Sequence, residues 1–263
     1  MSWLEILSLA LLPAFLVLDL FRPPAPGVRS RWWRSRAFVV TALNFGLSLF
    51  IGQLWGQWLG EAHVFNASVL GTVGGAVVGV LVYEFFHYGY HRSAHRFTWL
   101  WRLGHQMHHS AESLDAWGAF YLHPADAAIF TTLSSLVLFG LLGLSPEAGA
   151  WASATLTFLA IYQHAHLRTP RWLGYLVQGP ESHAVHHQRG VHAFNYADLP
   201  LWDMVFGTFR NPRVGREHMP LQGFYPGASA RIPEMLLGRD VSEPRAATNP
   251  AAPAHPASHP FNV

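Results

Sequence analysis

Apolar residues run along this chain in long blocks separated by short polar ones, with little of the alternation that marks half-buried strands. A membrane-spanning helix needs ~20 mostly apolar residues. Five segments meet or approach that length: Trp3 to Phe21, Ala37 to Gly60, Val69 to Tyr90, Ala127 to Leu144 and Ala148 to Gln163. The last two are separated only by Ser145-Pro146-Glu147, a turn signal, so a tight helical hairpin that stops short of crossing is the alternative for that pair. The first segment has neither a basic leader nor a small-residue cleavage site, and is read as a retained helix. The pattern predicts an all-α integral membrane bundle of four to five membrane helices.

Composition agrees with that reading. Hydrophobic residues make up 51% of the 263 and charged residues 12%, about half the ~25% usual in soluble domains. The absence of cysteine excludes disulfide scaffolds, thiolate metal sites and cysteine nucleophiles. All 17 basic residues are arginine, and they are distributed unevenly. Arg22, Arg29, Arg31, Arg34 and Arg36 lie between the first two segments, Arg92, Arg96 and Arg102 follow the third, and the rest follow the fifth. The loops Glu61 to Ser68 and Ser145 to Glu147 have none. By the positive-inside rule the N-terminus is outside and the arginine-bearing loops face the cytosol. With 15 acidic residues against 17 arginines, nucleic-acid binding is not expected. The expected organisation is N-terminal membrane helices and a basic loop over 1–68, a catalytic domain over 69–210, and a C-terminal cytosolic extension over 211–263. The Pro/Ala-rich end of that extension, from about 244, reads as disordered.

Histidine is the unusual residue. Thirteen of 17 fall between His87 and His192. His87, His91 and His95 repeat at i, i+4, which sets imidazoles on one helix face. His105, His108 and His109 are spaced i, i+3, i+4, and His183, His186 and His187 repeat that spacing. His164 and His166 end the fifth segment, and His123 precedes Pro124. On the predicted topology these units meet at the cytosolic side, forming a helical cap. One metal uses four to six ligands, so eight or more converging imidazoles imply two metals. Imidazole suits Zn, Cu, Fe and Ni, so spacing alone does not choose among them. The ferritin-like dimetal design needs two Glu-x-x-His motifs, and that pair does not occur. His63, His218, His255 and His259 read as ordinary surface or core residues.

The order His-x3-His, His-x2-His-His, isolated His, His-x2-His-His resembles the fatty acid hydroxylase/sterol desaturase family of membrane oxygenases. Tyr90-His91-Arg92-Ser93-Ala94-His95 is similar to the family's first box, preceded by an acidic residue at Glu84. Leu100-Trp101-Arg102 before the second box and His109-Ser110 at its end also match. Asn195-Tyr196-Ala197 and Trp202-Asp203-Met204-Val205-Phe206-Gly207-Thr208 resemble signatures that follow the third, with Ala197 where glycine is frequent. The resemblance implies a non-haem di-iron centre using O2 on a membrane lipid, with electrons from a separate reductase. It implies ligands at His91, His95, His105, His108, His109, His164, His183, His186 and His187. His87, His123, His166 and His192 are possible further ligands or supports. Glu84, Asp115, Glu181, Asn195 and Asp203 are candidates to fix imidazole tautomers. Trp101, Trp117, Phe120 and Tyr121 are candidates to line the lipid entrance.

The expected reaction is hydroxylation or desaturation of a sterol, fatty acyl or related lipid. Two other readings of the histidines stand beside it. A zinc-dependent membrane hydrolase would need neither O2 nor reductant. A metal transporter would place its ionisable residues near the bilayer midplane.

Overall fold

The computed structural model describes residues 3–21, 30–59, 61–165, 167–212 and 220–245. His166, His218, most of the loop from Arg22, and the chain from Ala246, with His255 and His259, lie outside the described residues. The described chain is all-α, apart from one isolated bridge between Gln188 and Gln222. Its helices are α1 (Trp3–Leu20), α2 (Trp33–Leu59), α3 (Gly71–Arg96), α4 (Thr98–Leu100), α5 (Gln106–His109), α6 (Pro124–Ser135), α7 (Pro146–His164), α8 (Pro180–His186), α9 (Pro200–Val205) and α10 (Ile232–Leu236).

Three described stretches are long and apolar enough to cross a membrane: Trp33–Leu59, Ala67–Arg96 and Pro124–Leu141. The third helix runs past Tyr90 to Arg96 because the polar groups of the first histidine box turn inward along one face. His87, His91 and His95 are all buried. From Ser135, α6 runs directly into a π turn over Leu136–Leu141. Helix starts follow local chemistry. Pro124 and Pro146 stand at first-turn positions where no N–H is needed. The Ser145 hydroxyl accepts from the Ala148 N–H at 3.2 Å.

The helices pack by close approach. A Cβ on Gly79 would lie 2.8 Å from Leu144 Cδ1 and 3.1 Å from Leu138 Cδ2, and one on Gly75 would lie 3.0 Å from Ala148 Cβ. Gly75 and Gly79, four residues apart, thus form a small-residue seam on α3 against Ala148 and Ala152 of α7. Val80, Tyr83, Leu138, Leu142, Leu156 and Leu159 fill the core around that seam. A second core, with Trp33, Trp101, Met107, Tyr121, Phe224 and Met235, joins α2 to the C-terminal segments. Glu112 fastens this layer by accepting from the N–H groups of Gly227 (2.9 Å) and Ser229 (3.1 Å). The histidine boxes touch both cores: His87 stacks on Tyr83 of the first, and His95 and His109 lie against Trp101 of the second.

Candidate metal centre

Four pieces of backbone deliver the imidazoles. The buried face of α3 carries His91 and His95. A π turn over Trp101–His105 leads into α5 and carries His105, His108 and His109. The end of α7 carries His164, and α8 with the residue after it carries His183, His186 and His187. All nine are buried and form two groups. His91, His95, His105, His109 and His186 bring their ligand atoms within 4.8 Å of one another, as do His108, His164, His183 and His187. The groups touch where the His109 and His187 rings stack at a centroid separation of 4.1 Å.

Hydrogen bonds to the far nitrogens fix how the rings face. A carbonyl can only accept, so His91 Nδ1–H donates to the Tyr196 carbonyl at 2.6 Å and His186 Nδ1–H to that of Phe194 at 2.7 Å. His164 Nδ1–H donates to the Ala160 carbonyl at 2.7 Å, and His105 Nδ1–H to the Asp126 carboxylate at 2.9 Å. Tyr90 donates its hydroxyl to the other oxygen of Asp126. Each of these rings therefore turns a bare Nε2 lone pair inward. Nε2 of His91, His95, His186 and His187 has no hydrogen-bond partner. His164 Nε2 lies 3.2 Å from His108 Nε2 and 3.1 Å from His183 Nε2, and His105 Nε2 lies 3.1 Å from His109 Nε2. Two imidazole nitrogens at that separation either share one proton or turn their lone pairs to a common cation. Ligands about 2.1 Å from one ion and roughly 95° apart stand about 3.1 Å apart. The donor set fits two metal ions.

Burial, and then the neighbouring imidazoles, hold His108, His109, His183, His186 and His187 well below the usual histidine range. They are neutral at physiological pH, the form that ligates.

The loop after the third box is under strain. His192 (φ 45°), Phe194 (φ 66°) and Asn195 (φ 49°) all have left-handed backbone, uncommon for residues other than glycine. The surrounding bonds hold that shape. Asn195 donates to the Ser182 and Arg210 carbonyls at 2.8 and 2.9 Å, and its own oxygen accepts from the Arg210 N–H. Asp203 accepts from the N–H groups of Tyr196 and Ala197, both at 2.8 Å. The strain aims the Phe194 and Tyr196 carbonyls at His186 and His91.

The remaining expected residues fall at varying distances from the imidazoles. His192 Nδ1 is 2.9 Å from His109 Nδ1, and burial pushes its pKa down to about 3. His87 clusters with Glu84 and Asp198 instead of joining either imidazole group. His123 caps α6, its Nδ1 accepting from the Ala125 N–H at 3.0 Å. Glu181 accepts from the N–H and hydroxyl of Thr169. Asp115 accepts from the Trp33 indole at 3.1 and 3.2 Å. Trp101 lies against His95 and His109, each at a centroid distance of 5.2 Å. Trp117 sits in the second core with the Arg34 guanidinium 6.0 Å from its ring. Phe120 packs among residues of α1. Tyr121 is fully buried and donates to the Ser229 carbonyl at 2.6 Å.

Spacing alone does not single out Asp126 as the partner of His105. The signal was local: Asp126 sits two residues after His123-Pro124, in the first turn of a helix that packs on the second box.

The sequence model described as Fatty acid hydroxylase matches residues 76–208, just over half of the chain. The chain belongs to the fatty acid hydroxylase family. With three apolar helices of membrane-crossing length, this family member is an integral membrane protein. Sphinganine C4-monooxygenase 1 of Arabidopsis thaliana is 27% identical over 137 residues, covering 51% of this chain and 53% of that protein. Ornithine lipid hydroxylase OlsE of Rhizobium tropici is 32% identical over 141 residues, 52% of this chain and 42% of its own. Cholesterol 25-hydroxylase-like protein 2 of Danio rerio is 27% identical over 231 residues, 75% of this chain and 77% of its own. The chain spans about half the length of the first two curated relatives. No solved structure matches at a significant level.

Proposed function

We propose that the protein is a membrane-bound di-iron oxidoreductase that uses O2 to hydroxylate or desaturate a lipid. The observation that carries this reading is the pair of touching imidazole groups, five and four, with lone pairs turned inward. His91, His95, His105, His109 and His186 would hold one iron; His108, His164, His183 and His187 would hold the other. Bound there, two irons supply O2 activation strong enough to break an unactivated C–H bond, chemistry that side chains alone do not perform.

The chain's own residues orient and exclude. The Tyr196 and Phe194 carbonyls and Asp126 keep His91, His186 and His105 in the ligating tautomer. Trp101 covers His95 and His109, which keeps water from that side. The exposed apolar surface of α2, including Phe38, Leu43, Phe45, Leu49 and Phe50, suits contact with lipid chains, so a substrate tail can approach without crossing water. The names of the relatives, each a lipid-modifying enzyme by its printed title, agree with a lipid substrate. The arginine distribution supports a topology with the N-terminus outside and a cytosolic cap bearing the histidines. Electrons would come from a separate reductase.

Purified protein is expected to hold two irons and to consume O2 and reductant while its lipid product gains one oxygen or loses two hydrogens, as read by mass spectrometry. His108→Ala and His187→Ala should each abolish turnover. Iron-free protein, or full activity in both variants, refutes the proposal. Lipid hydrolysis without O2 uptake would instead support the zinc hydrolase reading.

A further inference from the structure

Beside the five-imidazole group lies a third cluster that the proposed reaction does not use. Glu84 and His87 sit one turn apart on α3, and Asp198 reaches them from the loop between the third histidine box and α9. All three are buried, Glu84 completely. Glu84 lies inside Ala67–Arg96, a stretch apolar enough to cross a membrane. Ionisable residues in such helices are rare and mark functional sites.

The bonding of the cluster is incomplete in a specific way. Glu84 Oε2 is satisfied by the N–H groups of Asp198 (2.8 Å) and Leu199 (3.1 Å), and Asp198 Oδ1 accepts from Gln163 at 2.7 Å. Glu84 Oε1 and His87 Nδ1 are buried and have no hydrogen-bond partner. They stand 3.6 Å apart, and His87 Nδ1 is 4.0 Å from Asp198 Oδ1, too far for hydrogen bonds. Two ligands about 2.1 Å from one ion and roughly 120° apart are separated by about 3.6 Å. Packing between Tyr83, His91 and Phe130 fixes the His87 ring. Charge points the same way. Among the described residues, His87 is the only basic group at ion-pair distance from either carboxylate. Two buried carboxylates without a full counter-charge are costly, and a divalent cation would neutralise both.

We propose that Glu84, His87 and Asp198 form a third metal site, binding one divalent first-row cation through Glu84 Oε1, His87 Nδ1 and Asp198 Oδ1. One imidazole and two carboxylates suit Zn2+ or Fe2+ and differ from the all-imidazole surroundings of the nine other histidines. The ion ties α3 to the chain that carries the third box. This site is independent of the reaction proposed above.

The test uses full-length, untagged protein in detergent, stripped with chelator, reloaded with excess Zn2+ and desalted, with zinc counted per chain. Three ions are expected in the unsubstituted protein and two in His87→Ala and in Asp198→Asn. Anomalous scattering at the zinc edge from the unsubstituted protein should give a peak among the three side chains, so the result does not depend on the variants folding. Two ions or fewer in the unsubstituted protein, or three that persist in both variants, overturns the site. A protein that holds the third ion but oxidises no lipid would refute the proposed reaction and leave this site standing.

Discussion

His105 is gripped from both sides: Asp126 accepts a hydrogen bond from its Nδ1–H at 2.9 Å, and its Nε2 faces His109. Carboxylates behind metal-binding imidazoles raise ligand basicity and fix the tautomer, and losing one costs about 10- to 100-fold in metal affinity. Asp126→Asn should weaken one metal by that factor, measured by competition against a chelator. Tyr90→Phe, which removes only the outer hydroxyl, should cost less. An unchanged affinity in Asp126→Asn would remove Asp126 from the support of the site. At this scale the sequence is uneven to read. The nine histidines stand out because helical spacing is local and two of their units share one spacing. Their supports do not, because the Tyr196 carbonyl meets His91 across 105 positions and a carbonyl carries no residue signature. The pairing of Glu84 with Asp198 is hidden in the same way.

Among the elements, the α3–α7 seam decides whether the boxes meet, since α3 brings His91 and His95 and α7 brings His164. Gly79→Val should destabilise the protein by about 1–3 kcal/mol, because the new side chain meets Leu144 and Leu138 in a packed core. Gly46→Ala on α2 meets nothing within 4 Å and should be neutral or slightly stabilising, by up to about 1 kcal/mol. Thermal melts of the two variants in one detergent check the pair, and equal melting points would contradict the seam. Hydropathy located the long helices within a few residues, because length and apolarity are what a bilayer demands. It missed the π turns at Trp101–His105 and Leu136–Leu141, which arise from tertiary packing. It also ended the third segment at Tyr90, because inward-facing histidines look polar when read along the chain.

Across the whole molecule, the buried imidazoles make stability depend on pH. The unfolded chain takes up protons near the ordinary histidine pKa of about 6.5, whereas His108, His109, His183, His186 and His187 stay neutral well below it in the fold. The unfolded state therefore binds more protons as pH falls. Stability is intact above about pH 6.5 and lost below it, at up to about 1.4 kcal/mol per pH unit for each such histidine. Metal-free protein should melt progressively lower between pH 7 and 5, and bound metal should delay that loss to lower pH. A flat profile for the metal-free form would contradict this account. The inward-facing lone pairs have a further consequence, in the life of the protein inside a cell. With the Nδ1 protons of His91, His105, His164 and His186 committed to fixed acceptors, these rings of an empty centre cannot relax by swapping tautomers, so the folded chain without its ions is a poor resting state and is exposed to quality-control proteolysis. On the proposed di-iron reading, iron supply would then govern how much of the protein persists. Cells starved of iron should contain several-fold less of it at unchanged transcript level, and a pulse-chase measurement should trace the deficit to faster turnover of newly made chains.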